Sequence, residues 1–318
     1  MTTTARTANQ PPRWFLLGTG AIGGLFARRF VKLGHKVTLL TRSNEADPRR
    51  LLTFVLPNSD RQSLSFPQSP PNDPEPIDLL WVCTKSYDTL PAVQGIKHRL
   101  TSKSIIVLAG NGMGYQSKVG AIVGTHRVIA CMTTAGCHRD KQGHWIPAGT
   151  GETHLGWLSH SYGPPAWVPD LLKSDWSCHW QRNMQRLLIV KLAINSVINS
   201  ATAVNDVNNG ALLTQPWLRD QFEQAIQETT TLLDWAGFHE LTPTLASTIR
   251  HVAEQTADNS SSMRRDKQLG RATEVEHILG YLLEQLPLGI SPSLPVPATP
   301  LLRLWLDSLR SDTTIGQK

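Results

Sequence analysis

Trp14-Phe15-Leu16-Leu17-Gly18-Thr19-Gly20-Ala21-Ile22-Gly23 passes from four apolar residues into glycines spaced G-x-G-x-x-G. A helix-forming stretch follows over 21–33 and closes at Gly34, and residues 36–40 predict a second strand. Strand, glycine turn and helix in that order form the setting in which this spacing holds a dinucleotide. Gly18 permits the tight turn, Gly20 lets the backbone around Thr19, Ala21 and Ile22 approach a pyrophosphate, and Gly23 allows close packing of helix on strand. The helix N-terminus then faces the negative charge. A glycine turn that merely joins strand to helix is the plainer alternative.

Outward from this turn, apolar runs at 78–83 and 104–109 continue the alternation and predict a parallel, doubly wound α/β sheet. Residues 128–130 and 153–157 flank a turn-rich stretch and predict a hairpin added to that sheet, while the proline-rich 67–76 segment reads as an exposed loop. Beyond residue 182 the pattern turns helical, with stretches at 186–200, 211–236, 242–256, 263–286 and 298–310 and a proline-rich interruption at 287–300. The expected organisation is a disordered tail over 1–13, a Rossmann-like α/β domain over 14–182 and an all-α domain over 183–318.

A chain of 318 residues is long enough for two cores, and 40% hydrophobic with 18% charged residues describes a globular protein. The net charge of +6 is spread in short pairs such as Arg28-Arg29, which suits anionic small molecules and gives no nucleic-acid footprint. Cys83, Cys131, Cys137 and Cys178 form no CxxC pair, and the eleven histidines form no HxxxH or HExxH set, so neither a disulfide framework nor a metal site is expected. Residues 1–13 lack the apolar core of a secretory signal and no apolar run of membrane-spanning length stands out, so a cytoplasmic protein without a membrane partner is expected. The ten tryptophans are dispersed, a distribution that suits packing more than base stacking.

Thr41-Arg42-Ser43 ends the second strand, where NAD-binding folds usually carry an acidic residue for the ribose hydroxyls. An arginine between small hydroxyls suits a 2′-phosphate, so NADPH/NADP+ is the expected cofactor; an exposed arginine at a strand end is the alternative. Thr84-Lys85-Ser86 and Gly110-Asn111-Gly112-Met113-Gly114 follow later strands, and ligands of open α/β sheets bind at strand carboxyl ends. Lys85 and Asn111 are therefore expected beside the ligand, although Asn-Gly is also a common turn. In the helical half, Lys191 interrupts the apolar run from Leu187 to Ile194. Burial there makes a lysine costly and depresses its pKa. Lys191, Asn195 and Asn199 fall four apart, so an ammonium and two carboxamides share one stripe and predict a polar pocket. Asn259-Ser260-Ser261-Ser262-Met263 precedes a helix and either caps it or offers donors to a carboxylate. Glu274, within that helix, reads by default as a solvated carboxylate like its neighbour Glu276.

Taken together, these motifs resemble those of the ketopantoate reductases (2-dehydropantoate 2-reductases), over essentially the whole chain after the tail. The glycine turn is generic. Asn209-Gly210 also matches, and Lys191-x3-Asn195-x3-Asn199 followed by the Asn259–Met263 motif and Thr273-Glu274 is specific. The resemblance implies a Rossmann half and a helical half with the active site in the cleft between them. It implies NADPH-dependent reduction of ketopantoate to pantoate, in the biosynthesis of the coenzyme A precursor pantothenate, by a monomer or homodimer whose partner is a small 2-oxo acid. Lys191 looks like the general acid, Asn195, Asn199, Asn209 and Ser262 like substrate ligands, and Asn111 like a neighbour of both cofactor and substrate. Arg42, Lys85 and Glu274 look like cofactor-side residues. Asp88 departs from a position often neutral or amide in the family, and Leu279 replaces a common asparagine. A reductase of another branched 2-oxo acid and a non-catalytic NADP-binding sensor stay open as alternatives.

Overall fold

The computed structural model describes residues 12–43, 47–286 and 295–315, so the expected tail over 1–11 and the greater part of the 287–300 interruption lie outside the described residues. The chain divides into two compact units, Met1–Gly110 with Tyr115–Gln185, and Asn111–Gly114 with Arg186–Lys318.

The first unit is α/β. Its strands are β1 (Trp14–Leu17), β2 (Val37–Leu40), β3 (Arg49–Val55), β4 (Arg61–Ser69), β5 (Ile77–Val82), β6 (Leu100–Leu108), β7 (Val128–Thr133), β8 (Cys137–Arg139), β9 (Trp145–Pro147), β10 (Thr153–Trp157) and β11 (Cys178–Trp180). Its helices are α1 (Ala21–Lys32), α2 (Ser86–Gly95), α3 (Tyr115–Val123) and α4 (Val168–Leu172). Among the described residues the strands form one sheet in the order β11-β10-β7-β6-β5-β1-β2-β4-β3-β9-β8.

Parallel pairing runs from β7 through β6, β5 and β1 to β2. Along these strands the side chains alternate between two cores. Trp14, Leu16, Trp81, Val107 and Ile129 pack with Phe26 and Phe30 of α1. Phe15, Leu17, Leu80, Ile106 and Val128 pack with Val93 of α2 and Val119 of α3. Helices cover both faces, which is why these strands read as unbroken apolar runs. β1 lies between β2 and β5, so the turn leaving β1 is the switch point at which open α/β sheets take ligands.

The expected hairpin is present as the antiparallel β7–β10 pair, with β8 and β9 forming a smaller pair inside the connection. The 67–76 segment is not wholly an exposed loop: Pro67–Ser69 ends β4, which pairs antiparallel with β3 from Arg49–Pro67 to Val55–Arg61. Leu52, Phe54 and Phe66 are buried while Arg49, Leu51, Arg61 and Ser63 are exposed, so this hairpin shows only half the apolar signal of the central strands.

The second unit is helical, with α5 (Met184–Asn205), α6 (Ala211–Thr214), α7 (Pro216–Trp235), α8 (Thr242–Gln255), α9 (Ser262–Gln268) and α10 (Pro300–Ile315) around a core that includes Val197, Phe222, Ile249 and Trp305. Contrary to expectation, among the described residues one helix, α5, is long and apolar enough to cross a membrane by length and composition. Its most apolar window is 67% buried within the protein, the environment of a core helix. The helix expected over 211–236 breaks at Gln215, which is extended (φ −90°, ψ 119°) because Pro216 follows. The one expected over 263–286 stops at Gly270, which takes φ +61°, and the chain then makes only a 3-10 turn at Val275–His277 and a π turn at Tyr281–Gln285. Buried Glu228 of α7 accepts from the N–H groups of Leu301 and Leu302 (3.1 and 3.0 Å) and so caps α10.

Candidate active site

After β1 the chain turns through Gly18 at φ +94°. A Cβ there would lie 2.7 Å from the Thr84 amide nitrogen beyond β5, and one at Gly23 would strike the Gly18 carbonyl oxygen. Neither position has room for a side chain. At Gly20, by contrast, an added Cβ would meet no atom of the described residues within 4 Å beyond its own chain neighbours. α1 begins there without a side-chain cap and without an acid in its first turn. Its N–H groups thus face an open approach with the positive end of the helix dipole behind them, which fits the pyrophosphate of a dinucleotide.

Two residues that sequence reasoning missed hold this turn. Trp145 Nε1 on β9 donates to the Gly20 carbonyl at 2.9 Å, and Arg50 Nη1 on β3 donates to Thr19 Oγ1 at 2.9 Å. Burial, and then the neighbouring Arg139, push the Arg50 guanidinium below the ordinary arginine value, so an arriving anion would find a partly desolvated cation beside the turn.

Arg42 follows β2 with its side chain 88% exposed, and its Nη2 donates to Asp88 Oδ2 at 2.9 Å. Asp88 stands in the first turn of α2, whose N-cap residue is Lys85. Lys85 is half-buried. The expected cofactor-side residues of this unit therefore sit past the carboxyl ends of β2 and β5, and Arg42 already carries an anionic partner.

In the second unit, Lys191, Asn195 and Asn199 share one stripe of α5, as their spacing predicts. Lys191 and Asn195 are half-buried and Asn199 is buried. Lys191 is therefore less covered than its apolar run suggests. The physical reason is that Leu187, Val190 and Ile194 are also only half-buried, so they and Lys191 form the less covered face, while Leu192, Ala193 and Val197 enter the core.

Thr202, three residues beyond Asn199, places its Oγ1 2.8 Å from Ser261 Oγ. Ser261 is the N-cap of α9 and accepts from the Arg264 N–H at 3.1 Å. Capping thus falls to Ser261, and Ser262 is left exposed as the first residue of the helix. Asn209 is buried; its Nδ2 donates to Thr256 Oγ1 at 2.8 Å and its Oδ1 has no partner among the described residues. Sequence reasoning also passed over Ser196, Ser200 and Ser260, whose buried hydroxyls are likewise without a partner, an arrangement folded proteins rarely keep. The available signal was that Ser196 and Ser200 directly follow Asn195 and Asn199.

Glu274 departs from the solvated carboxylate expected of it. It is 4% exposed, lies at the N-cap of a 3-10 turn and not inside a helix, and accepts from Asn111 Nδ2 at 3.2 Å. The loop carrying Asn111 is pinned by the Met113 N–H, which donates to the His277 carbonyl at 2.7 Å. Glu276, two residues on, is exposed and pairs with Arg310 at 2.7 Å. Leu279, the departure from the family pattern, is a fully buried core residue.

Comparison with known proteins bears on both units. The family described as Ketopantoate reductase PanE/ApbA matches residues 14–160, and Ketopantoate reductase PanE/ApbA C terminal matches residues 183–301. The 2-dehydropantoate 2-reductase of Shigella flexneri is 30% identical over 274 residues, with 85% of this chain and 87% of that protein covered. That of Yersinia pestis is 28% identical over 271 residues, with the same coverage of 85% and 87%. Among solved structures, the PanE/ApbA family ketopantoate reductase of Ralstonia eutropha JMP134 gives a TM-score of 0.78 at 21% identity, covering 96% of this chain and 99% of that one. D-mandelate dehydrogenase, solved with NADH and anilino(oxo)acetate, gives 0.79 at 18% identity and the same coverage of 96% and 99%. These structural likenesses speak for the fold, an α/β unit followed by a helical one. The two family segments cover most of the chain, and the protein belongs to the ketopantoate reductase family.

Proposed function

We propose that the protein is a cytoplasmic, NADPH-dependent 2-dehydropantoate 2-reductase that converts ketopantoate to pantoate on the route to pantothenate. The α5 stripe carries this assignment: an ammonium and two carboxamides on one face, grading from half-buried to buried, with exposed Ser262 at the start of α9, whose N-cap Ser261 meets Thr202 of α5. Relatives up to 30% identical that bear this activity as their name support it.

The open cradle at Gly20 and the uncapped start of α1 suit a dinucleotide. Gly18, Thr19, Gly20, Ala21, Ile22 and Gly23 would hold its pyrophosphate, and Arg42 and Lys85 its 2′-phosphate. When bound, the nicotinamide supplies a hydride to the ketone carbon. The protein's own share is position and charge. As that carbon is reduced, negative charge gathers on the ketone oxygen, where the Lys191 ammonium stabilises it and then gives up a proton. Asn195, Asn199 and Asn209 offer hydrogen bonds to the substrate hydroxyl and Ser262 an O–H to its carboxylate. A carboxylate only accepts, so Glu274 takes the Nδ2 side of Asn111 and leaves its Oδ1 for a ligand.

NADPH oxidation followed with ketopantoate beside a panel of 2-oxo acids tests the assignment. Ketopantoate should react at least about tenfold faster, in kcat/KM, than acids lacking the distal hydroxyl. A faster branched acid without that hydroxyl would move the assignment to another 2-oxo acid, and no oxidation with any of them would leave a non-catalytic NADP-binding protein.

A further inference from the structure

The first unit contains a cavity of about 440 Å³ beside the C-terminal half of α1, formed by residues that have no part in the proposed reaction. Leu25, Pro147 and Trp176 give it apolar walls, and Arg28, Arg29 and Lys32 bring three cations to it against one acid, Asp175. Arg29 is the distinctive member. Its guanidinium lies 4.9 Å from the Trp176 ring centroid, and its Nη2 donates to the Thr150 carbonyl at 2.8 Å. Its Nη1 is buried with no partner among the described residues.

Cations suit the last turn of α1, at the negative end of its dipole, but the helix end does not account for the apolar walls. Arg28 is partly committed, since its Nε donates to Gln62 Oε1 at 2.7 Å. Asp175, the acid of the lining, is exposed. Burial holds both guanidiniums below their ordinary value.

We propose that this cavity binds a small amphipathic carboxylate, its head on Arg29 and Lys32 and its apolar body on Leu25, Pro147 and Trp176. A guanidinium edge matches the planar carboxylate, and the walls exclude water from a short hydrocarbon or ring.

Octanoate, octanol and inorganic phosphate, titrated calorimetrically into the whole protein with and without NADPH, form the test. One octanoate should bind per chain, equally in both conditions and at least about tenfold tighter than octanol or phosphate. Arg29→Gln should weaken octanoate about tenfold and leave octanol unchanged. Asp175→Asn should tighten octanoate about threefold, a gain that a misfolded variant cannot produce. Octanol binding as well as octanoate, displacement of octanoate by NADPH, indifference of octanoate to both substitutions, or no saturable binding would each overturn the proposal. None of these readings depends on turnover, so they stand apart from the outcome of the 2-oxo acid assay.

Discussion

Asp88→Asn removes the carboxylate that receives Arg42 Nη2 at 2.9 Å. In the native protein a 2′-phosphate arriving at Arg42 meets that carboxylate on the same guanidinium. The Arg42 side chain is 88% exposed and that of Asp88 42%, so a dielectric close to that of water applies. Two unit charges about 6 Å apart then repel by ~0.7 kcal/mol. A phosphate monoester carries roughly −1.5 to −2 charges near neutral pH, which raises the repulsion to ~1.2 kcal/mol, and physiological salt screens away about half. Releasing Arg42 from an exposed ion pair contributes a further ~0.2–1 kcal/mol. The sum, ~1 kcal/mol, is about fivefold in Kd. NADH has a hydroxyl at that place and feels neither effect, so its affinity should move less than about twofold. Fluorescence titration of both nucleotides against native and Asp88→Asn protein, at low and high salt, reads the difference directly. The gain for NADPH should shrink with salt and disappear in an Arg42→Ala background. If Asp88→Asn binds NADPH no better or more weakly, Asp88 orients Arg42 for the phosphate and the competition argument is wrong.

Lys191→Ala should lower kcat with ketopantoate by about 10²–10⁴ while changing NADPH affinity less than about twofold, and a near-native kcat in steady-state assays would end its role as general acid. Gly18→Ala should cost ~2 kcal/mol or more in thermal or denaturant unfolding, because it combines φ +94° with a contact 2.7 Å from the Thr84 nitrogen. Gly20→Ala, with open space around its added methyl, should stay within ~1 kcal/mol of native stability yet weaken NADPH about tenfold, and unchanged binding would place the pyrophosphate elsewhere. Glu274→Ala should reduce kcat/KM about 10–100-fold through the freed Asn111 carboxamide, whereas Glu276→Ala should leave it within about twofold; equal losses would deny Glu274 a special place. Burial pushes the Cys178 thiol up to about 11 and that of Cys137 up to about 12. Both lie above the unfolded value, so their contribution to stability is whole below roughly pH 8.5 and is lost as pH climbs through 11. Denaturant unfolding from about pH 8 to 11 should show a decline that Cys178→Ala makes shallower, and an unchanged slope would mean that other groups drive it.

The glycine turn and the central strands were legible because each announces itself over a few adjacent residues. Parallel strands covered on both faces must be apolar throughout, and G-x-G-x-x-G reports a backbone that cannot accept a Cβ at Gly18 or Gly23. The β3–β4 hairpin was not legible, since half its side chains face solvent and Arg49, Arg61 and Ser63 interrupt the pattern. Missing that hairpin also meant missing Arg50. Its hydrogen bond to Thr19 spans 31 residues of sequence and that of Trp145 to Gly20 spans 125, and no local rule predicts a partner at such distance. Glu274 and Glu276 show the same limit in a smaller compass. An uninterrupted helix would have kept both as surface carboxylates, but the stop at Gly270 replaces it with short turns. The first glutamate is then turned inward to Asn111 and the second outward to Arg310.

Lys191 changes the most between sequence and structure, and the change bears on the proton donation proposed for it. On α5 it shares the half-buried face with Leu187, Val190 and Ile194, so its proposed role depends on place. The lysine heads a stripe whose next members, Asn195 and Asn199, descend into the unit toward the Thr202–Ser261 contact at the start of α9. A substrate gripped by that descending stripe would be buried at its hydroxyl end and keep its ketone near the charged end. A reduction that places negative charge on the ketone oxygen needs its cation at that end.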